Sequence, residues 1–201
     1  MAARTGMADL IEQVRGMCDA GVEDYTIGTT TYWSDTSLQT TMDRHREIVF
    51  NAPLRSQPTY HAGGSVEYRT YYLGWDNVES GTSAFTLEDS TGEDIAGTAY
   101  SCDYAAGIVS FNYDTLGSSL YWTGRSYDLN AAAADVWRMK ASHSAKYYNF
   151  STDNHNLSRA QLYEHFMQQA QYYERMAQPS SVLLIRTDTQ AQDYGDDNDA
   201  T

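Results

Sequence analysis

Proline and cysteine are scarce in this chain, with three and two residues among 201. With so few prolines and 41% apolar residues the chain can bury a proper core, so one domain with an insertion, or two small domains, is expected. Cys18 and Cys102 stand alone without a CxxC pair, which excludes a disulfide framework and suits buried thiols in a reducing compartment. Positive charge is also in deficit: 13 Lys and Arg against 27 Asp and Glu leave a formal net charge of −14. No basic stripe exists to release counterions from phosphates, so a nucleic-acid reader is excluded. No apolar run approaches the roughly 18 residues of a membrane span, and no charged-then-apolar leader opens the chain. A soluble protein without export is expected, and on that expectation the triplets Asn149-Phe-Ser151 and Asn156-Leu-Ser158 are chance matches to the glycosylation pattern.

Catalytic signatures are missing as well. The histidines at 45, 61, 143, 155 and 165 form no HExxH pair or other i, i+4 couple, and no cysteine lies at ligand spacing from them. His45 reads as a hydrogen-bonded residue at the edge of a core. In "ASHSAKYY", Ser142, His143 and Ser144 near Lys146 are neighbours on one helix, which rarely gives the convergence a nucleophile and base require. "DSTGEDIAG" lacks both the lysine of a phosphate loop and the ligand spacing of an EF-hand, and reads as a turn. The sequence therefore nominates no catalytic residue, no cofactor site and no metal site.

What is present begins with helices. Met7, Leu10, Ile11, Val14, Met17 and Cys18 follow helical spacing, with Gly21 placed as a left-handed cap. In "WSDTSLQTTMDRHREIVF", Ser34 is the N-cap, Trp33 and Leu38 form a hydrophobic staple, and Leu38, Met42, His45 and Val49 share one face. Farther on, Ser126 or Asp128 caps a helix whose Leu129, Ala132, Ala133, Val136, Trp137 and the stem of Lys140 line one side. The last helix carries a capping box, Ser158-x-x-Gln161, stapled by Leu157 and Leu162. Its face continues through Phe166, Ala170, Tyr173 and Ala177 until Pro179.

Between Leu54 and Thr123 the period changes. "VEYRTYYLGW", "SAFTLED", "TAYSCDY", "GIVSFNYD" and "SSLYWTG" are short segments rich in Tyr, Thr, Val and Phe, spaced as an antiparallel meander. Asp89 to Gly92 and Asp103 to Gly107 are its hairpin turns, and in "GIVSFN" Val109 and Phe111 face opposite to Ile108 and Ser110. The fold expected is α+β: a small helical bundle interrupted by an antiparallel β insertion, with an extended C-terminal tail. Its parts are N-terminal helices in 1–53, the β insertion in 54–123, C-terminal helices in 124–178 and an acidic tail in 179–201. The 17 tyrosines and four tryptophans serve as sheet core or interface anchors before they serve as a sugar platform.

The run from "SDTSLQTTMDRHR" through "YSCDYAAGIVSFNYD" to "LYWTGRSYDLNAAAADVWRMKASHSAKYYNFSTDNHNLSRAQLYEHFMQQAQYYERMA" resembles the head-to-tail adaptors, or neck connectors, of tailed bacteriophages. The shared order is a capped helix ending in a basic stretch, a β insertion, a "GxxYD" step, an alanine-rich helix, a Phe-Ser turn and an "SRxQ" helix. The resemblance covers nearly residues 7 to 178, and the tyrosine-rich β part departs from it. It implies a structural virion protein without enzymatic activity, assembling as a ring of about twelve copies beneath the portal protein. Its partners would be the portal, neighbouring copies and the next neck or tail component. DNA would pass through the lumen without specific binding, and no membrane is involved. The implied location is the virion neck, reached from the host cytoplasm during assembly.

Two alternatives belong beside it: another neck or tail ring, such as a stopper or tail terminator, and a carbohydrate-binding module built on the aromatic insertion. The partner-binding residues nominated by sequence lie in the tail, where Val182, Leu183, Leu184, Ile185 and Arg186 follow the proline stop. The strip either folds back onto its own chain or, ordered on assembly as an added strand, places Leu183 and Ile185 in pockets and pairs Arg186 with a carboxylate.

Overall fold

The first helix, α1 (Ala8–Cys18), lies where its apolar spacing puts it, and Leu10, Ile11, Val14 and Cys18 are buried. In this computed structural model, residues 3–21, 25–27, 30–144, 150–152, 155–157 and 159–177 are described. The residue that turns left-handed to close α1 is Asp19, at φ 47°, ahead of the Gly21 expected from sequence. Lys140 stabilises that end by donating to the carbonyls of Cys18 (2.9 Å) and Asp19 (2.7 Å), a cation against the negative pole of the helix. A short antiparallel pair follows, β1 (Tyr25–Ile27) with β2 (Thr30–Tyr32).

Ser34 caps α2 (Asp35–Met42) by accepting from the Ser37 amide at 3.3 Å. Trp33 and Leu38 are both buried beside it, as a staple requires. The helical reading fails beyond Met42. A single 3-10 turn spans Asp43–His45, and Arg46–Pro53 is a strand, β3, although Met42, His45 and Val49 keep helical spacing. Ile48, Val49 and Phe50 are stiff or bulky at Cβ, which suits a pleated surface, and pairing with a distant strand decides the matter.

The remaining strands are β4 (Arg55–Tyr60), β5 (Val66–Tyr72), β6 (Phe85–Glu88), β7 (Tyr100–Asp103), β8 (Ile108–Phe111) and β9 (Tyr121–Tyr127). They form two antiparallel sheets, one ordered β3-β9-β6 and the other β4-β5-β8-β7. Val49, Phe85, Leu87 and Trp122 from the first share one buried cluster with Tyr71, Val109 and Phe111 from the second. Phe85 meets Tyr104 edge-on at 5.3 Å and Tyr100 at 6.4 Å across the gap, so the sheets pack face to face as a sandwich. Val109 and Phe111 point inward while Ser110 is exposed, as their alternation requires. The two expected turns form: Asp89 accepts from the amides of Thr91 and Glu93, and Asp103 from those of Ala105 and Ala106.

After β9, Asp128 caps α3 (Leu129–Ser144) by accepting from the Ala131 amide at 2.9 Å. Of the two candidates for this cap, Ser126 instead donates its hydroxyl to the Asp76 carbonyl. Leu129, Ala132, Ala133, Val136 and Trp137 are buried as their spacing demands. The pair β10 (Phe150–Thr152) and β11 (His155–Leu157) precedes α4 (Arg159–Met176). Ser158 and the Leu157 side chain, the proposed cap and staple of α4, lie outside what is described. Among the described residues no helix is long and apolar enough to cross a membrane.

The small helical bundle interrupted by a β insertion is therefore not what this chain forms. The α+β mixture stands, but seven strands in two sheets build one of its two cores, and β3 within 1–53 and the end of β9 beyond 123 are parts of that sandwich. The physical reason is strand pairing: β3 finds its partner in β9, from Arg46 opposite Tyr127 to Pro53 opposite Tyr121.

Candidate functional site

Three large apolar side chains stand out in solvent on the sandwich. On β3, Val49 points to the core and its neighbours point away, leaving Ile48 at 68% and Phe50 at 82% exposure. Asn51 follows at φ 47° in a bulge opposite Thr123, whose hydroxyl accepts its amide at 3.0 Å. Leu116 is also 82% exposed, at φ 56°, a left-handed conformation that costs a leucine about 1 kcal/mol. The cost is met locally: Asp114 accepts from the amides of Tyr68 and Leu116, both at 2.9 Å, which holds its carboxyl below the usual carboxylate range.

The β4–β5 hairpin is exposed on both sides toward its tip. Only Thr70, Tyr71 and Tyr72 pair onward with β8, so the arm from Pro58 to Glu67 has no further strand beside it. Tyr60, at 76% exposure, sits directly opposite Val66, and Pro58 opposite Tyr68, so all four project from one side. His61 and Glu67, 3.3 Å apart, and Arg69 occupy the other side. A two-stranded ribbon of this kind is marginal in water and gains from a covering surface.

A second polar assembly lies between the two cores. The guanidinium of Arg4 forks onto Asp43 (2.6 and 3.0 Å), donates to Glu79 (2.8 Å) and to the hydroxyl of Tyr127 (2.8 Å). Glu79, with 2% of its side chain exposed, also accepts from Tyr127 at 2.7 Å. Burial works to raise the Glu79 carboxyl, but the hydrogen bonds from Tyr127 and Arg4 outweigh it and hold the group low. Arg4 likewise holds Asp43 low. The Tyr127 phenol is pushed up, first by burial and then by Glu79. Each charge has an opposite partner at contact distance, so the cluster is a structural joint with no group poised for proton transfer.

His45 lies 2.8 Å from Asp135, which also binds Arg138, and Arg138 reaches Glu174. Ser144 donates to the Ala141 carbonyl within its own helix, and Lys146 lies outside the described residues. A cleft of about 210 Å³ separates α1 from the β7–β8 turn, with Asp9, Gln13, Ser80 and Asp103 in its walls. Cys102 also lines it, and burial pushes that thiol up to about 12, which leaves it protonated and a poor nucleophile. Cys18 is buried and is pushed up equally, to about 12. Among the described residues no three His, Cys, Asp or Glu side chains converge as metal ligands.

The tail strip Val182, Leu183, Leu184, Ile185 and Arg186 lies outside the described residues. Sequence reading passed over Ile48, Phe50, Tyr60 and Leu116. Ile48 and Phe50 lie in a run whose spacing fits a helix face, whereas their β-branched and aromatic character is the signal for a strand. Leu116 carried no signal, because a left-handed leucine is invisible in sequence. No family model, curated protein or solved structure matches this chain.

Proposed function

We propose that this chain is a structural virion protein, a head-to-tail adaptor that forms a ring between the portal and the tail and extends the DNA conduit. The observation that carries the reading is the exposure of Ile48, Phe50, Tyr60 and Leu116 on the sandwich. Side chains of that size held in water by ordered strands and a strained loop are what an assembly subunit presents before it meets its partners. The order of sequence pieces from the capped α2 to α4 supports the same reading through its resemblance to neck connectors. The net charge of −14 suits the wall of a tube through which DNA slides, because negative walls repel phosphates.

In this reading neighbouring copies bind through the β sandwich, while Val182 to Arg186 engage the portal. Deleting residues 180–201 is expected to leave the thermal midpoint within about 2 °C and to abolish attachment to portal-bearing heads. Cryo-microscopy of the virion neck tests the whole proposal: a closed ring of this chain under the portal supports it, and an external decoration removes it.

A further inference from the structure

The β3-β9-β6 sheet has one side in the sandwich core, through Val49, Leu87 and Trp122, and one side turned outward. By alternation the outward side carries Arg46, Ile48 and Phe50 on β3, Arg125 on β9 and Glu88 on β6. Ile48 and Phe50 stand exposed there. Arg46 lies 3.8 Å from Asp43, whose two oxygens already accept from Arg4. Arg125 lies 3.4 Å from Glu79, which Arg4 and Tyr127 already hold. A guanidinium has five donors, so both arginines keep capacity for a further acceptor. Two arginines against Glu88 at the far end make this face net positive in a chain of net charge −14. Tyr127, opposite Arg46, joins the helical core, so the helical body stands at the Arg46 end. The C-terminus of α4 lies at that end too: Asn130, three positions after Tyr127, donates to the Met176 carbonyl at 3.4 Å.

We infer that residues 180–201 of the same chain dock on this face, with Val182 to Ile185 over Ile48 and Phe50 and the aspartates that follow against Arg46 and Arg125. Reach selects this occupant. The positions from Asn130 back to Tyr127 span about 10 Å and residues 178–181 up to about 13 Å, so Val182 arrives beside Arg46. Charge selects it as well. After Arg186 the tail carries Asp188, Asp193, Asp196, Asp197 and Asp199 and no lysine or arginine. Most of so acidic a chain repels that segment, and the arginine-bearing face attracts it. Running outward along β3, the strip brings Arg186 toward Glu88, and residues 187–201 are long enough to turn back to the two arginines. A tethered segment meets its site at a roughly millimolar effective concentration, so a weak contact keeps it seated and its removal costs little stability. The inference goes beyond the adaptor reading and does not rest on it. Where that reading holds, the strip leaves the sheet for the portal and uncovers Ile48 and Phe50 for a neighbouring copy.

Paramagnetic broadening of amide resonances tests the docking on the full, isotope-enriched chain, with a nitroxide attached at Thr187→Cys. Cys18 and Cys102 are protonated thiols, and mass spectrometry of the parent chain verifies that neither takes the label. The amides of Ile48, Phe50 and Arg125 are expected to lose most of their intensity, while those of Tyr60 and Leu116 keep theirs. Adding either Arg46→Glu or Phe50→Ser is expected to restore the lost intensity, with unchanged resonances from α1 and α3 verifying the fold of each variant. Full intensity at Ile48 and Phe50 in the labelled chain would overturn the inference. So would an equal loss at Tyr60 and Leu116, which marks a tail without a seat, or a loss that survives both added substitutions. A mixture of labelled, unenriched chain with enriched, unlabelled chain separates a second copy from the chain's own tail. It is expected to show no broadening; broadening there would assign the face to a neighbouring molecule and overturn docking within one chain.

Discussion

Glu79 shows how one side chain can decide the joint between two cores. Removing its charge by Glu79→Gln leaves Arg4 and Arg125 facing a neutral group and should cost about 2 kcal/mol at pH 7, read from urea unfolding. The pH dependence carries a definite sign. Both Glu79 and Asp43 are held below their ordinary values of 4.5 and 3.8, so the unfolded chain takes up protons first as the solution is acidified. Their contribution is whole above pH 4.5 and drains away as the pH falls through the lowered folded values. Urea midpoints measured from pH 6 downward should drop less steeply for Glu79→Gln than for the parent; equal slopes would remove Glu79 from this account. Gly107 is a second decisive residue. At φ 65° it lies where an added Cβ would come within 1.8 Å of the Trp75 carbonyl oxygen, so Gly107→Ala should lose roughly 2 kcal/mol or more. Ser34 and Asp128 were legible as caps from sequence because a cap acts three residues away. Glu79 was not, because its partner Arg4 lies 75 residues distant.

The helix α4 illustrates what a pattern leaves open about an element. Its face was legible: Phe166, Ala170 and Tyr173 all join the helical core, and Phe166 lies 5.5 Å from Trp137 of α3. Degree of burial was not, because spacing gives direction without depth. Phe166 is only half-buried while Ala170 is sealed, so Phe166→Ala should cost about 2 kcal/mol, below the 3–5 of a fully buried ring. Ala170→Leu should cost about 1–3 kcal/mol by overpacking a contact that admits only a methyl group. Chemical denaturation of the two variants checks both values. Strand β3 is the opposite lesson, since its spacing agreed with a helix and its residue types with a strand. Six registered pairs with β9, together with the burial of Val49 and Ala52 against the other sheet, outweigh a local period.

At the scale of the molecule, two hydrophobic cores share one polar joint. Trp33 and Trp137 belong to or border the helical core, and Trp75 and Trp122 to the sheet core, so the four tryptophans report on both. The parent protein should unfold as one unit, with all four fluorotryptophan resonances in 19F NMR losing native intensity at a single urea concentration. Arg4→Ala removes the bonds to Asp43, Glu79 and Tyr127 together and should separate the helical pair of resonances from the sheet pair. Coincident transitions in that variant would show that apolar contact alone couples the cores.

By itself the sequence determined the local things: the α+β composition, the four helices with two of their caps, the two Asp-anchored turns, the inward side of β8, and the deficit of positive charge. Each follows from residues within a turn or two of one another, where side-chain type and spacing fix the backbone. The tertiary structure decided the rest. It made β3 a strand, arranged seven strands as a sandwich, closed α1 at Asp19, and left Ile48, Phe50, Tyr60 and Leu116 in water. Those outcomes rest on pairings between residues tens of positions apart, where the free energy of a registered ladder and a shared core exceeds any local preference. No stretch of sequence records which distant partner it will meet.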